Sequence, residues 1–341
     1  MTPTSHTEHE QFSIDAARGL LPEIESRVSV LKNVNGWADF SPEVLGVWSA
    51  PYGSPELWSV KIQHRTIDGP HGPIPVRIYR SNDSKDGHPG LVWFHGGAFV
   101  GGALDMPEAH ETSLGISGRA KMTVISVDYR LCPSPGQPAT TGDVRFPIPH
   151  DEAVEAYRWA VKMADELGMD PSKIAVGGAS AGANLAAGAA LRLAHDGAPP
   201  WQALLAYPLV HPTMPTMSED LEDAIQRIPP ALRLTAESWI SLNENYLGGA
   251  VESASEYAYV GVSRDLSRFP STYIDNCEFD EIRISGEAFA RQLEESGVDV
   301  EVAMTNGVLH GHLNNVGFKP ARDSMDNFAR RLTSWTGKDA V

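Results

Sequence analysis

The feature that most constrains the fold is a run of small residues between two apolar segments, VGGASAGANLAAG at 176–188. A strand-like segment, 173–178, precedes Ser180, and an alanine-rich helical segment, 180–195, follows it. Gly and Ala on both sides of the serine let a strand meet a helix at a sharp turn without a steric clash. The G-x-S-x-G spacing therefore predicts a strained turn that lifts the Ser180 hydroxyl above the end of a strand.

The rest of the chain alternates strand and helix signals. We predict strands at 60–67, 75–80, 90–95, 122–128, 173–178, 203–210, 271–276 and 298–304. We predict helices at 13–34, 107–119, 151–167, 180–195, 217–228, 235–246, 285–296 and 322–335, the first with a break or kink at Pro22. The first two strands predict an antiparallel hairpin, and the later apolar runs are typical of strands buried on both faces. This pattern indicates an α/β fold with a mostly parallel sheet of about eight strands flanked by helices.

Two parts of the chain interrupt this alternation, namely the helical N-terminus and the helix pair within 212–250. Both are expected to lie over the sheet as a helical cap. We therefore divide the chain into an N-terminal cap segment (1–56), a core in two parts (57–211 and 251–341) and a cap insertion (212–250).

Composition excludes several classes of function. Of 341 residues, 42% are hydrophobic, which is enough for a large core and too much for a disordered chain. The net charge of −17 disfavours binding to nucleic acid and stable association with anionic membranes. Two cysteines, Cys132 and Cys277, make no disulfide framework, and we see neither a secretory signal nor an apolar run long enough to span a bilayer. A cytoplasmic location is expected.

A second glycine-rich loop, HGGAFVGG at 95–102, follows the buried strand signal GLVWF. A His-Gly-Gly loop upstream of G-x-S-x-G is typical of a loop whose backbone amides bind a developing oxyanion. We predict Gly96 and Gly97 as donors, with the Ala181 amide as the third. His95 is predicted to brace the loop.

These motifs together resemble the hormone-sensitive-lipase-like branch of the α/β-hydrolases, which includes many bacterial carboxylesterases. The resemblance runs from about residue 60 to residue 335 and includes DYRL at 128–131, GGASAG at 177–182 and His-Gly at 310–311. It implies an α/β-hydrolase fold and a small-molecule ester as substrate, with no cofactor and no metal. In that family DYRL is largely structural.

The triad acid is placed by the resemblance. A serine nucleophile needs a base, which needs an orienting carboxylate, and the chain order in this fold is serine, acid, histidine. The family pattern D-P-L-x-D-E-G aligns with DEIRISG at 280–286 and implies Asp280, with Glu278 as the alternative. Glu281 stands where the family usually has Pro, and Ile284-Ser285 where it has Asp-Glu.

The triad base follows the last predicted strand. The family pattern His-Gly-Phe maps onto 310–312 and implies His310 as the base of Ser180, with His312 in place of an aromatic residue. Two histidines at this spacing also permit a metal site. No cysteine or acidic residue stands beside them at ligand spacing, so we favour a site without metal.

The substrate pocket is less well specified. Phe99, Val100 and Tyr207 are predicted to line it, because they lie beside the oxyanion loop or a strand end. The segment 132–147 is longer than the family's usual link. It is either part of the pocket rim or a surface loop distant from the site.

The sequence favours a serine carboxylesterase acting on small, short- to medium-chain acyl esters. An amidase, lactonase or carbamate hydrolase with the same triad stays open, as does a non-catalytic binding protein on this scaffold, although the presence of Ser180, Asp280 and His310 disfavours the last. The acyl-chain length, the natural substrate and the oligomeric state, a homodimer included, cannot be read from the sequence.

Overall fold

The computed structural model describes residues 19–31, 34, 39–135 and 142–334. The described strands form one sheet of eight strands in the order β1-β2-β4-β3-β5-β6-β7-β8. Their bounds are β1 Val60–Gly69, β2 Gly72–Ser81, β3 His88–Phe94, β4 Thr123–Val127, β5 Met169–Ala179, β6 Ala203–Ala206, β7 Thr272–Phe279 and β8 Val300–Leu309.

Helices connect most of these strands. Their bounds are α1 Pro22–Val28, α2 Pro42–Trp48, α3 Pro107–Ala120, α4 Ile148–Lys162, α5 Ala164–Leu167, α6 Ala181–His195, α7 Glu219–Gln226, α8 Ala236–Leu247, α9 Arg283–Glu295 and α10 Lys319–Ser334. Helix α3 packs against α10, and α4 packs against α6. Consecutive residues of β3 and β4 are buried, so both faces of the central sheet are covered.

The predicted α/β class and mixed sheet are confirmed. Strand β2 runs antiparallel to β1 and β4, and the neighbours from β4 to β8 pair in parallel. Parallel strands end at the same edge of a sheet, where open α/β folds form their ligand sites. The loops after β3, β5, β7 and β8, which carry the residues singled out by the sequence, therefore meet at one edge.

Some predicted elements have different bounds. Strand β6 ends at Ala206 instead of 210, because Tyr207 has a φ of +38°, which turns the chain away from the sheet. The first helix begins at Pro22 and ends at Val28, so of the predicted break or kink at Pro22 the structure has the break, because proline fits the first turn of a helix. Residues 13–18 of that predicted helix lie outside the described residues.

The segment 132–147 contacts the C-terminal end of α8. The amide of Phe146 donates to the Tyr246 carbonyl at 2.8 Å, and Asn245 Nδ2 donates to the Pro133 carbonyl at 3.0 Å. Residues 136–141 lie outside the described residues, so a role in the pocket rim stays a prediction.

Among the described residues, no helix is both long enough and apolar enough to cross a lipid bilayer.

The close approach of α6 to β3 gives the first testable prediction. A Cβ at Gly182 would lie 2.2 Å from the Phe94 carbonyl oxygen and 2.3 Å from that of His95, both of them backbone atoms. We expect Gly182→Ala to lower the free energy of unfolding by about 1–3 kcal/mol or more, because the backbone of β3 or α6 has to shift. Chemical denaturation monitored by circular dichroism measures the change.

The matched control is Gly46→Ala in α2, where an added Cβ meets nothing within 4 Å. Alanine there is expected to leave stability unchanged or to raise it by about 0.5–1 kcal/mol, because it favours the helix. Equal stability of the two alanine variants would contradict the close packing of α6 on β3.

Candidate active site

The turn between β5 and α6 holds Ser180 in a strained conformation. Its φ is +55° and its ψ is −118°, outside the regions that serine normally adopts. The Ser180 amide donates to the Ala206 carbonyl at 2.9 Å, and the Ser180 carbonyl accepts from the Asn184 amide at 3.1 Å. Strand β6 and helix α6 therefore fix the turn that presents the hydroxyl at the edge of the sheet.

His310 links Ser180 to Asp280. Its Nε2 lies 3.0 Å from the Ser180 hydroxyl oxygen, and its Nδ1 lies 2.7 Å from Asp280 Oδ2. The other oxygen of Asp280 accepts from the Ile282 amide at 2.9 Å, which orients the carboxylate. Glu278, the alternative acid, instead accepts from the Gly307 amide at 2.6 Å. Asp280 is thus the carboxylate beside His310.

Two opposing effects set the pKa of His310. Removal from water lowers it, while the charge of Asp280 and the hydrogen bond to Asp280 raise it, with smaller contributions from Glu108 and Glu281. The carboxylates outweigh burial, so the pKa of His310 lies above its ordinary value of 6.5. The site holds a histidine that favours the protonated form more than a free imidazole does.

The loop after β3 turns back on itself beside Ser180. Gly97 and Ala98 have φ values of +119° and +56°, and the Gly97 carbonyl accepts from the amides of Val100 and Gly101. Both Gly97 and Ala98 line the cavity at Ser180. Their amides donate to no acceptor among the described residues, which leaves them free for a substrate oxygen.

Gly96 corrects the sequence prediction. Its amide donates to Glu108 Oε2 at 2.5 Å, so that N–H is already bound within the protein. The Ala98 amide takes its place beside Gly97 as a candidate donor. Ala181 is the first residue of α6, where helical amides have no partner within the helix.

Glu108 is a functional candidate that the sequence analysis missed. It is buried, and its carboxylate accepts from the Gly96 amide, from the Tyr207 hydroxyl at 2.6 Å and from Asn314 Nδ2 at 3.2 Å. The loops after β3, β6 and β8 are therefore held together by one side chain. Glu108 lies in the first turn of an ordinary helix signal, and only its spatial neighbours reveal this role.

His95 braces the same loop, as predicted. Its buried ring stacks on Tyr129 at a centroid distance of 4.6 Å, and the Tyr129 hydroxyl donates to the His95 carbonyl at 2.8 Å. A Cβ at Gly102 would lie 2.3 Å from the His95 ring, so the end of the loop packs directly on the imidazole.

The three predicted pocket residues are not among those that line the cavity. The positive φ of Phe99 directs its ring into the core, where it stacks on Tyr246 at 3.9 Å. Val100 packs against the same core. Tyr207 is buried behind His310, with 4.9 Å between ring centroids, and binds Glu108. Their nearness to the oxyanion loop along the chain did not indicate which way the side chains point.

The cavity at Ser180 has a volume of about 640 Å³. Apolar side chains form most of its wall: Trp48, Met106, Leu209, Leu232, Leu234, Leu242, Phe279, Ile282 and Leu309. Trp48 comes from α2, within 1–56, and Leu232, Leu234 and Leu242 come from 212–250, so residues of both predicted cap segments contribute to the wall.

His312 is part of a buried polar cluster. Its Nδ1 lies 3.2 Å from Cys277 Sγ and its Nε2 lies 2.8 Å from the Ser324 hydroxyl. Burial lowers the pKa of His312 to about 3, so the ring is neutral. Among the described residues, no group of three or more His, Cys, Asp or Glu side chains is arranged to hold a metal ion.

Comparisons with known proteins agree with this geometry. Residues 91–314 match a family model described as the alpha/beta hydrolase fold. Carboxylesterase NlhH of Mycobacterium tuberculosis is 33% identical over 276 residues, which are 78% of this chain and 80% of that protein. Ethyl acetate hydrolase of Pseudomonas putida is 30% identical over 70% of each chain. The hyperthermophilic esterase of Pyrobaculum calidifontis superposes with a TM-score of 0.75, at 28% identity, over 93% of this chain and 98% of that one.

The Glu108 contacts give a second prediction. In Glu108→Gln, one oxygen and one NH₂ group face three donors, so one buried donor loses its acceptor. We expect the free energy of unfolding to fall by about 1–3 kcal/mol, measured by chemical denaturation.

Glu111→Gln on the same helix is the matched control. Glu111 is partly exposed, and its pKa is raised by burial and by Glu56, so its charge brings no stability. That variant is expected to change stability by less than about 0.5 kcal/mol. An equal, small effect of both substitutions would contradict the role of Glu108.

Proposed function

Because the chain belongs to the hormone-sensitive-lipase-like branch of the α/β-hydrolase fold family, we propose that it is a serine carboxylesterase for small, short- to medium-chain esters. Several of its relatives are named carboxylesterases or carboxylic ester hydrolases, and this chain is an enzyme of the same class. The observation that carries the finer proposal is the hydrogen-bonded series Ser180–His310–Asp280 at the wall of a largely apolar cavity.

The first half of the reaction forms an acyl-enzyme. His310 Nε2 accepts the Ser180 proton as the serine oxygen bonds to the ester carbonyl carbon, and the carbonyl π electrons move to its oxygen. The amides of Gly97, Ala98 and Ala181 donate to that oxyanion, and Asp280 stabilises the imidazolium. The oxyanion collapses, the bond to the alcohol oxygen breaks, and His310 gives its proton to the leaving alcohol.

Water completes the cycle. His310 accepts a proton from a water molecule as the water oxygen bonds to the acyl carbon. The second oxyanion collapses, the bond to the serine oxygen breaks, and His310 returns the proton to Ser180. The acid leaves, and the enzyme is regenerated without a cofactor.

Cavity size supports small substrates. About 640 Å³ is within the range of sites for small molecules and too little for a long-chain triglyceride. One relative is named ethyl acetate hydrolase, which is consistent with a short acyl chain. In this proposal the segments 1–56 and 212–250 cap a core formed by 57–211 and 251–341, and the cap limits the length of the acyl chain.

Hydrolysis of a p-nitrophenyl ester series, from acetate to decanoate, tests the proposal. We expect the wild type to hydrolyse the short esters and Ser180→Ala to lose about 10⁶-fold in kcat, because the nucleophile is gone. The exposed Ser26, whose hydroxyl donates to the Glu23 carbonyl of its own helix, supplies the control variant Ser26→Ala, expected to keep full activity.

Esterase activity that survives in Ser180→Ala would refute the assignment of the nucleophile. Absence of activity on every ester with a folded wild type would refute the esterase proposal. Labelling by a fluorophosphonate would then separate an amidase, lactonase or carbamate hydrolase from a binding protein.

The raised pKa of His310 predicts the pH profile. The base has to be neutral to accept the Ser180 proton, so kcat/KM rises with pH as His310 deprotonates. We expect the midpoint of this acid limb above pH 6.5. In Asp280→Asn the attraction that raises the pKa is lost while burial still lowers it, so the midpoint moves to lower pH and kcat falls by about 10⁴-fold.

His71→Asn is the control for this profile, because His71 is a partly exposed histidine that pairs with Asp151. The midpoint of the acid limb in His71→Asn is expected to equal that of the wild type. An acid limb at or below pH 6.5, or one that Asp280→Asn leaves in place, would show that His310 is not the titrating base.

A further inference from the structure

A buried acid in the cavity wall performs no step in the mechanism above. Glu281 directly follows Asp280 and is only 4% exposed, yet it is one of the residues that line the cavity at Ser180. Asp280 is committed to His310, and Glu108 is committed to the three loops that it holds together. Glu281 is therefore the acid in the cavity lining whose carboxyl group neither the triad nor the loop contacts account for.

The protein satisfies the Glu281 carboxyl only in part. The Leu234 amide donates to its Oε1 at 2.9 Å, and its own backbone amide also faces the group. Among the described residues, no lysine or arginine lies within 4 Å of the carboxyl oxygens, and the second oxygen has no donor from another residue. An ionised carboxylate that is buried without a cation is costly, which leaves a site for a positive group from outside.

The surrounding cations do not fill this site. Arg233 also lines the cavity, but its guanidinium donates to the backbone carbonyls of Ile228 and Gln226, both at 2.9 Å. Arg283, two residues after Glu281, pairs with Glu287 and Asp220 on the other side. Most of the other residues that line the cavity are apolar, so Glu281 is the carboxylate left to pair with a positive group that enters.

The pKa of Glu281 is consistent with a buried carboxylate that has no lysine or arginine partner in the described part of the chain. Burial raises its pKa, and the charge of Asp280 raises it further, to about 7, while nearby backbone amides and His310 act in the opposite direction. Above pH 7 the group is mainly ionised. A cation beside it would then lower its pKa and be bound in return.

We propose that Glu281 forms a subsite for a protonated amine, so that the preferred substrates are esters with an ammonium group in their acyl or alcohol part. The inference rests on the proposed esterase function. The net charge of −17 favours the same class, because it attracts cationic molecules to the protein. The subsite lies beside the residues that precede α8 in the cap insertion, where the Leu234 amide donates to Glu281, next to Asp280.

The test compares each cationic ester with a neutral ester of the same shape. On the alcohol side the pair is 2-(dimethylamino)ethyl butyrate and 3-methylbutyl butyrate. On the acyl side the pair is p-nitrophenyl 4-(dimethylamino)butanoate and p-nitrophenyl 5-methylhexanoate. The measured quantity is the ratio of kcat/KM within each pair at about pH 8, where Glu281 is ionised and the amine retains enough proton to bind.

We expect the ratio in at least one pair to favour the amine and to fall about tenfold or more in Glu281→Gln. Glutamine has the same shape and can still accept from the Leu234 amide, so the variant removes the charge and keeps the packing. Glu278→Gln is the matched control, because Glu278 binds the Gly307 amide outside the cavity, and its ratios are expected to equal those of the wild type.

A second measurement needs no variant. Lowering the pH from about 8 to about 6 protonates Glu281, so the wild-type ratio is expected to fall several-fold. The charged groups that face Glu281 are Asp280 and His310 from the triad and Arg233 from the cap insertion. Protonation of His310 slows both esters of a pair alike and cancels in the ratio.

If, in each of the two pairs, kcat/KM for the cationic ester is no higher than for the neutral ester, the proposal is overturned. A preference that Glu281→Gln leaves unchanged would overturn it too. Equal loss on both esters of a pair in Glu281→Gln would mean that the residue acts through Asp280 and His310 as a positioning residue. Hydrolysis of the neutral esters that depends on Ser180 would still support the esterase proposal in each of these cases.

Discussion

The rest of the site depends on the strained backbone at Ser180. A φ of +55° in a residue with a Cβ is unfavourable, and it is held here by hydrogen bonds to β6 and within α6. Small residues make this possible, since a Cβ at Gly178 or Gly182 would meet backbone atoms at 2.4 Å or less. Helix α6 can therefore approach the backbone of β3 closely. That approach brings the start of α6 close to the glycine-rich loop after β3.

Glu108 extends this constraint to the other loops. It binds the Gly96 amide in the oxyanion loop, the Tyr207 hydroxyl after β6 and Asn314 beyond His310. Because one carboxylate contacts all three loops, a displacement of any one loop strains the hydrogen bonds to the other two. The Gly96 amide, which the sequence predicts as a donor to the substrate, donates to Glu108 instead and holds the loop in place. The next two residues, Gly97 and Ala98, line the cavity.

How far the sequence predicts such a protein depends on whether a feature is local. The strand–turn–helix unit around Ser180 and the alternation of strands and helices are local patterns, and the fold class that follows from them is confirmed. The wall of the cavity is not local. Phe99 and Tyr207 were expected in it, but a positive φ at each residue directs the side chain away. Glu108 gave no signal of its own, and Glu281 stood out only as a departure from the family pattern, because the contacts of both come from neighbours distant along the chain.

The charges around His310 show why an esterase site gains from buried acids and is limited by them. Asp280, Glu108 and Glu281 all raise the pKa of His310, and in the proposed mechanism they would stabilise the imidazolium that forms as Ser180 attacks. The same carboxylates favour the imidazolium at rest, which removes the base at low pH. Burial of the ring opposes them and keeps the neutral form accessible. A substrate ammonium beside Glu281 would neutralise one of these charges, lower the pKa of His310 and supply more of the neutral base when substrate is bound.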